Sequence, residues 1–185
     1  MQVIKCLAAV AWEQNKFLSI ETVEVAPPKT HEVRVKIHST GVCHTDLSTL
    51  SSIYPDGPGN LFPTILGHEG AGVVESVGDE LPTNVMLGDH VIPMWLPHCG
   101  TCHMCRSEKT NICEKAFATL LSGMLQDGTS RFSCNGKVIY HYVGTSTLSQ
   151  YIVLPYIFVV KVNPSACLDR VCFIGCGIPT GYGSV

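Results

Sequence analysis

Four of the ten cysteines fall in one short stretch, Cys99, Cys102, Cys105 and Cys113, as C-x2-C-x2-C-x7-C. Three thiols separated by two residues each can turn around one ion, and a fourth from the far end of the loop completes a tetrahedron. That donor set builds a closed structural zinc site, in which every coordination position is filled and the ion holds the loop without carrying a reaction. An iron–sulfur run would read C-x2-C-x2-C-x3-C followed by proline, whereas here the last gap is seven residues and Glu114 follows. Disulfides require an oxidising compartment, and nothing in the chain signals secretion: Met1–Val10 carries Lys5 and runs straight into Trp12, Glu13 and Gln14.

A reaction needs a second, open site. Cys43, His68 and Cys176 each sit at a strand end or turn and are flanked by glycine, in Gly41-Val-Cys43-His-Thr-Asp46, Gly67-His68-Glu-Gly70 and Gly175-Cys176-Gly177. A catalytic zinc takes three protein ligands and keeps one position free, and two cysteines with one histidine are a recognised set. Spacing alone leaves the alternative open. With eight histidines and ten cysteines in the chain, a buried cysteine or histidine without a ligand role is the ordinary case.

The elements that would position these donors are mostly strands. Val23–Val25 and Val33–Ile37 alternate apolar and polar residues, the period of half-buried strands, with Pro27-Pro28 turning between them. Further strands are expected at Gly70–Gly78, His90–Trp95, Ser149–Leu154 and Phe158–Val162. A short helix is expected over Asp46–Ser52, an exposed loop over Ser51–Pro63, and a helical segment at Cys167–Ile174. The chain has 185 residues, 45% hydrophobic and 15% charged, with a formal charge of −3. That describes one β-rich domain with a core and offers no basic field for nucleic acid or an anionic membrane. The longest late apolar run, Tyr151–Val160, is too short to span a bilayer. Ten cysteines without a signal pattern point to a reducing, cytosolic address.

In chain order, Glu24–Lys29, Gly41–Asp46, Gly67–Gly72, the cysteine lobe, Asp127–Phe132, Gly144–Thr147 and Gly175–Gly183 together resemble the zinc-dependent medium-chain alcohol dehydrogenases, including their class III S-(hydroxymethyl)glutathione dehydrogenase group. The resemblance implies a mostly β, GroES-like catalytic domain over residues 1–174 with a zinc lobe at 95–117. Residues 175–185 would begin the connection to a nucleotide-binding domain that this sequence does not contain. It also implies two zinc ions per subunit, NAD as cofactor, a homodimer, and a small alcohol or aldehyde as substrate. Cys43, His68 and Cys176 match the catalytic zinc ligands, and Cys99, Cys102, Cys105 and Cys113 the structural ones. Thr45 matches the hydroxyl that passes the alcohol proton outward, and His44 a basic position that touches the cofactor pyrophosphate. Asp46 matches a carboxylate that orients the ligand histidine, and Glu69 a glutamate close to the zinc. The implied chemistry is metal-assisted hydride transfer from alcohol to NAD. The relay histidine expected five residues after the first cysteine ligand is replaced by Ser48, so the proton path is expected to end in water.

Two features bear on substrate and activity. The class that oxidises the glutathione adduct uses an aspartate and an arginine where this chain places Tyr54 and Phe117, and Trp95 offers a flat apolar wall. Medium or long aliphatic and hydrophobic alcohols are therefore expected ahead of the glutathione adduct. Gly175-Cys-Gly-Ile-Pro-Thr-Gly181 is no dinucleotide fingerprint, because its last gap is three residues and no βαβ unit or later acidic residue follows. The isolated chain is expected to bind zinc without turning over NAD, and a non-catalytic zinc-binding β module stands beside the enzyme as the other reading.

Overall fold

The computed structural model describes residues 1–51 and 61–184. Ten strands and four helices are found among them. In chain order they are β1 (Ile4–Ala11), β2 (Ser19–Val25), β3 (Glu32–Gly41), α1 (His44–Leu50), β4 (Thr64–Ile65), β5 (Glu69–Val77), β6 (His90–Pro93), α2 (Glu114–Ser122), β7 (Phe132–Cys134), β8 (Lys137–His141), β9 (Tyr151–Pro155), β10 (Val159–Lys161), α3 (Leu168–Val171) and α4 (Gly177–Gly183). Strands β1-β2-β7-β8-β4 close into a small barrel, and β10-β6-β5-β3-β9 form a five-stranded sheet. The mostly β class is as expected. Pro155 ends β9, and a 3-10 turn over Tyr156–Phe158 leads into β10, which is the split that the proline signals.

One core serves both sheets. Val10, Val23 and Ile139 from the barrel join Val33, Val35, Val91, Ile152 and Leu154 from the sheet in a single buried cluster. Alternation on the half-buried strands supplies the inward valines. Burying one such side chain contributes roughly 1.5–3 kcal/mol. Arg131, just before β7, crosses between the layers, donating to Glu32 of β3 at 2.6 and 2.9 Å and to Asp127 at 2.9 Å. Its guanidinium is almost fully buried, so this pairing fixes the relative placement of the sheets. Losing either partner would leave a charge stranded in the interior.

The β3–β5 ladder positions the site. Its register shifts twice, between Arg34 and Val35 and between Ile37 and Ser39, and it ends with Gly41 opposite Glu69. Cys43, two residues past Gly41, and His68, one residue before Glu69, therefore emerge at the same end of the same strand pair. After α3, a 3-10 turn over Cys172–Gly175 brings the chain back against this end. A Cβ on Gly175 would lie 3.1 Å from the His68 carbonyl and 3.3 Å from that of Pro93. Glycine permits this backbone approach and delivers Cys176 to the two earlier donors.

The helical segment expected at Cys167–Ile174 is present as α3 and its 3-10 continuation. The helix expected over Asp46–Ser52 starts two residues earlier, at His44. Most of the loop expected over Ser51–Pro63 lies outside the described residues. The N-terminal strand β1 and helix α2 carry no expectation from the pattern. Leu7 and Phe117 are half exposed, so apolar residues stand on both faces of each element and blur its period. Among the described residues no helix is long and apolar enough to cross a membrane.

Candidate functional site

Two groups of donors come together. Cys99, Cys102, Cys105 and Cys113 offer four ligand atoms all within 4.8 Å of one another, and Cys43, His68, Glu69 and Cys176 do the same.

The lobe is organised by its own backbone. The Cys102 N–H points at the Cys99 sulfur at 3.4 Å and the Cys105 N–H at the Cys102 sulfur at 3.3 Å. The Cys99 and Cys105 sulfurs are 3.8 Å apart. A short 3-10 turn, Met104–Arg106, rounds the loop, and Cys113 caps α2 at its N-terminus. Cys102 and Cys113 are buried in the main core. The donors are tuned against one another. Hydrogen bonds from Thr101 pull the Cys99 thiol down to about 5, while burial and neighbouring thiols push Cys105 up to about 11. Four sulfurs this close repel when ionised, and a divalent cation is what balances them. The donor set fits zinc.

At the second group, Cys43 is the N-cap of α1 and Asp46 its third residue. Asp46 is nearly fully buried and takes three donors. The Cys43 N–H reaches its Oδ2 at 3.0 Å, and the Gly67 N–H and His68 Nδ1 reach its Oδ1 at 3.1 and 3.0 Å. One carboxylate thus ties two donor-bearing loops together. It also fixes the tautomer of His68, because Nδ1 donates to Asp46 and the Nε2 lone pair is left for the sulfurs. Burial lowers the pKa of His68, but the Asp46 hydrogen bond and charge outweigh it, and the net direction is up. Burial raises Cys43, yet hydrogen bonds from Thr45 and the charge of His68 bring it below its ordinary value. Cys176 goes the other way, to about 11, through burial and the adjacent Cys43 thiolate. Two thiols and an imidazole of fixed tautomer, half open to solvent, fit a zinc with a free position.

The remaining expected residues lie around this group. The Thr45 hydroxyl is exposed and 3.5 Å from the Cys43 sulfur. His44 is also exposed, its Nδ1 3.2 Å from the hydroxyl of buried Ser48. Trp95 does two jobs: it packs against the core and meets His68 edge-on, with ring centroids 6.2 Å apart. Phe117 stands half exposed on α2, and Tyr54 lies outside the described residues. Two neighbours escape a sequence reading. Tyr142 faces His68 at 5.9 Å, and its hydroxyl is 2.9 Å from that of Thr49. Only the topology, which lays the 142–147 turn beneath β5, brings them there.

The pattern of the alcohol dehydrogenase GroES-like domain matches residues 29–164. The chain is 59% identical over 181 residues to S-(hydroxymethyl)glutathione dehydrogenase of Candida maltosa, covering 98% of this chain and 46% of that protein. It is 55% identical over 183 residues to alcohol dehydrogenase class-3 of Drosophila melanogaster, covering 99% and 47%. Among solved structures, an alcohol dehydrogenase zinc-binding domain protein from Burkholderia ambifaria superimposes with a TM-score of 0.88 at 33% identity, over 100% of this chain and 49% of that one. Benzyl alcohol dehydrogenase from Acinetobacter calcoaceticus gives 0.83 at 29%, over 97% and 47%. The chain spans about half the length of the curated relatives it matches.

Proposed function

The chain belongs to the alcohol dehydrogenase family through its GroES-like domain, and from that premise we propose that it is the catalytic half of a zinc-dependent, NAD-linked dehydrogenase of primary alcohols. The observation that carries the reading is the convergence of Cys43, His68 and Cys176 on one point, with Asp46 behind the imidazole. In this reading residues 1–174 are the catalytic domain and 175–185 begin the connection to a nucleotide-binding half, and the whole protein is a homodimer.

Zinc held by Cys43, His68 and Cys176 would supply Lewis acidity that makes an alcohol easier to deprotonate near neutral pH. The protein's own groups do the rest. Asp46 holds the His68 ring with Nε2 facing the sulfurs. Thr45 presents its hydroxyl on the open side, where it takes the substrate proton outward. His44, its ring anchored on Ser48, meets the cofactor pyrophosphate. Trp95 and Tyr142 wall His68 on two sides, exclude water from the imidazole, and give the alcohol an apolar surface. In the lobe, Cys99, Cys102, Cys105 and Cys113 hold a structural zinc that fixes the loop following Trp95.

The relatives support S-(hydroxymethyl)glutathione as the first substrate. This reverses the order suggested by Phe117 and Trp95. Medium or long aliphatic alcohols remain the second reading, favoured by the edge-on Trp95 ring over His68. The test joins this chain to the remaining half of the Candida maltosa relative. The chimera is expected to reduce NAD with S-(hydroxymethyl)glutathione at a kcat/KM above that for octanol, while the 185-residue chain alone binds two zinc ions and turns over neither. Octanol preferred by the chimera would reverse the substrate order again. A chimera holding two ions yet inert with both substrates would favour the zinc-binding module over the enzyme.

A further inference from the structure

Asp46 secures Cys43 and His68, but it does not touch Cys176. That cysteine arrives from far along the chain, at the start of a helix with no buried residue and no side-chain cap. Something must hold it, and the structure offers Glu69. This carboxylate is only 4% exposed and enters none of the ion pairs among the described residues. Its Oε1 accepts the N–H of Gly177 at 3.0 Å. Gly177 is the first residue of α4 and the immediate successor of Cys176.

The seat of this carboxylate is shaped by residues that lack side chains. A Cβ on Gly41 would fall 2.2 Å from Oε2, and one on Gly177 would fall 3.2 Å from Oε1. Glu69 is therefore clasped between the end of β3 and the start of α4, with room for no side chain at Gly41. An N–H donated to a carboxylate is among the stronger hydrogen bonds. The other holds on Cys176 are local and none reaches β5: its N–H meets the Phe173 carbonyl at 3.3 Å, its carbonyl accepts the Thr180 N–H at 3.0 Å within α4, and its sulfur lies 4.0 Å from the Thr180 hydroxyl.

We propose that Glu69 is a positioning residue for Cys176, latching the first peptide of α4 to β5 so that the third donor stands beside Cys43 and His68 before an ion arrives. The inference rests on the reading that these three hold an ion, and it gives Glu69 a task distinct from touching the metal. Glu69→Gln keeps an oxygen acceptor for Gly177, whereas Glu69→Ala removes it.

The experiment titrates Co2+ into the metal-free 185-residue chain and follows thiolate-to-cobalt charge transfer, with hydrogen exchange at the Gly177 amide measured before metal is added. The parent is expected to take two equivalents. Glu69→Ala should weaken the second equivalent about ten- to a hundredfold and roughly halve its charge-transfer absorption as Cys176 drops out. It should also speed Gly177 exchange, with the lobe band unchanged as proof of an intact fold. Glu69→Gln should stay close to the parent in all three. An alanine variant with parental spectrum and exchange would overturn the latch. So would a glutamine variant as weak as alanine with Gly177 exchange unaltered, which would make Glu69 a direct ligand. A parent that takes up one equivalent only would overturn the ligand reading and the latch with it.

Discussion

Cys99, Cys102, Cys105 and Cys113 reach one another through a single loop, with backbone N–H groups of the loop itself directed at the sulfurs. Cys43, His68 and Cys176 meet only after β3, β5 and the turn before α4 have packed. The donors are chemically similar and the means of assembly are opposite. In the lobe, sequence proximity sets the geometry and an ion can close the loop early. At the dispersed site the donors meet only where packed elements bring them together. On the proposed reading the two clusters would divide stability and reactivity between them: the local one offers four sulfurs, and the one that needs the whole domain offers two thiols and an imidazole and would leave a position open.

The comparison is most exposed at Cys102, which is both a lobe donor and part of the core. Cys102→Ser is expected to lower bound zinc from two equivalents to one and to cost more than about 4 kcal/mol, in the range reserved for loss of a metal or a core contact. Metal analysis and denaturant unfolding of the zinc-loaded chain measure both. A variant that kept its stability would show that the lobe is an appendage. Asp46→Asn comes next. With the carboxylate replaced by an amide, all three donors lose the negative charge and at least one faces an NH2 that cannot accept, so affinity at the dispersed site should fall about ten- to a hundredfold with the lobe unaffected. Competition with a chromophoric chelator reads this directly, and equal losses at the two sites would erase the distinction.

A third measurement, small at any one step of pH, separates the fold from both ions. His141 accepts the Arg131 N–H at its Nε2, and burial, aided by the Arg131 charge, pushes its pKa down to about 3 from 6.5. Folded His141 stays neutral where the unfolded chain takes up a proton. Its contribution is thus complete above pH 6.5 and is lost as pH falls towards 3, by at most about 1.4 kcal/mol per pH unit. Urea unfolding of the metal-free chain at several pH values should show this slope, and His141→Gln should flatten it. In the zinc-loaded chain, acid loss of the ions would be superimposed on it.

Much of the fold could be read from residues. The alternating valines of β2 and β3, and the proline that ends β9, mark real elements, because half-buried strands and proline each have one dominant physical signature. The lobe was equally plain, since its four donors sit within one stretch. The dispersed site was not legible from spacing: glycine-flanked strand ends made Cys43, His68 and Cys176 candidates, but none carries a local sign of the other two, and the resemblance is what set them above ordinary buried residues. Tyr142 and the contact between Glu69 and Gly177 were beyond reach for the same reason, being made by residues that topology alone brings together. β1 and α2 were missed because Leu7 and Phe117 put apolar side chains on the outer face.

The two register shifts of the β3–β5 ladder compensate. One strand carries an unpaired residue at Glu75 and the other at His38, so the offset that begins after Arg34 is cancelled before Ser39. Pairing at the Gly41–Glu69 end is in phase with pairing at the Arg34–Ser76 end. Length in these two strands is consequently a shared quantity. A single residue inserted into β3 beyond Ser39 would slide Cys43 past His68, or turn its neighbours to the other face, unless β5 gained one as well or a further bulge absorbed it. Insertions and deletions in this hairpin-like pair should therefore be accepted in matched sets, while substitutions at the same positions pass one at a time.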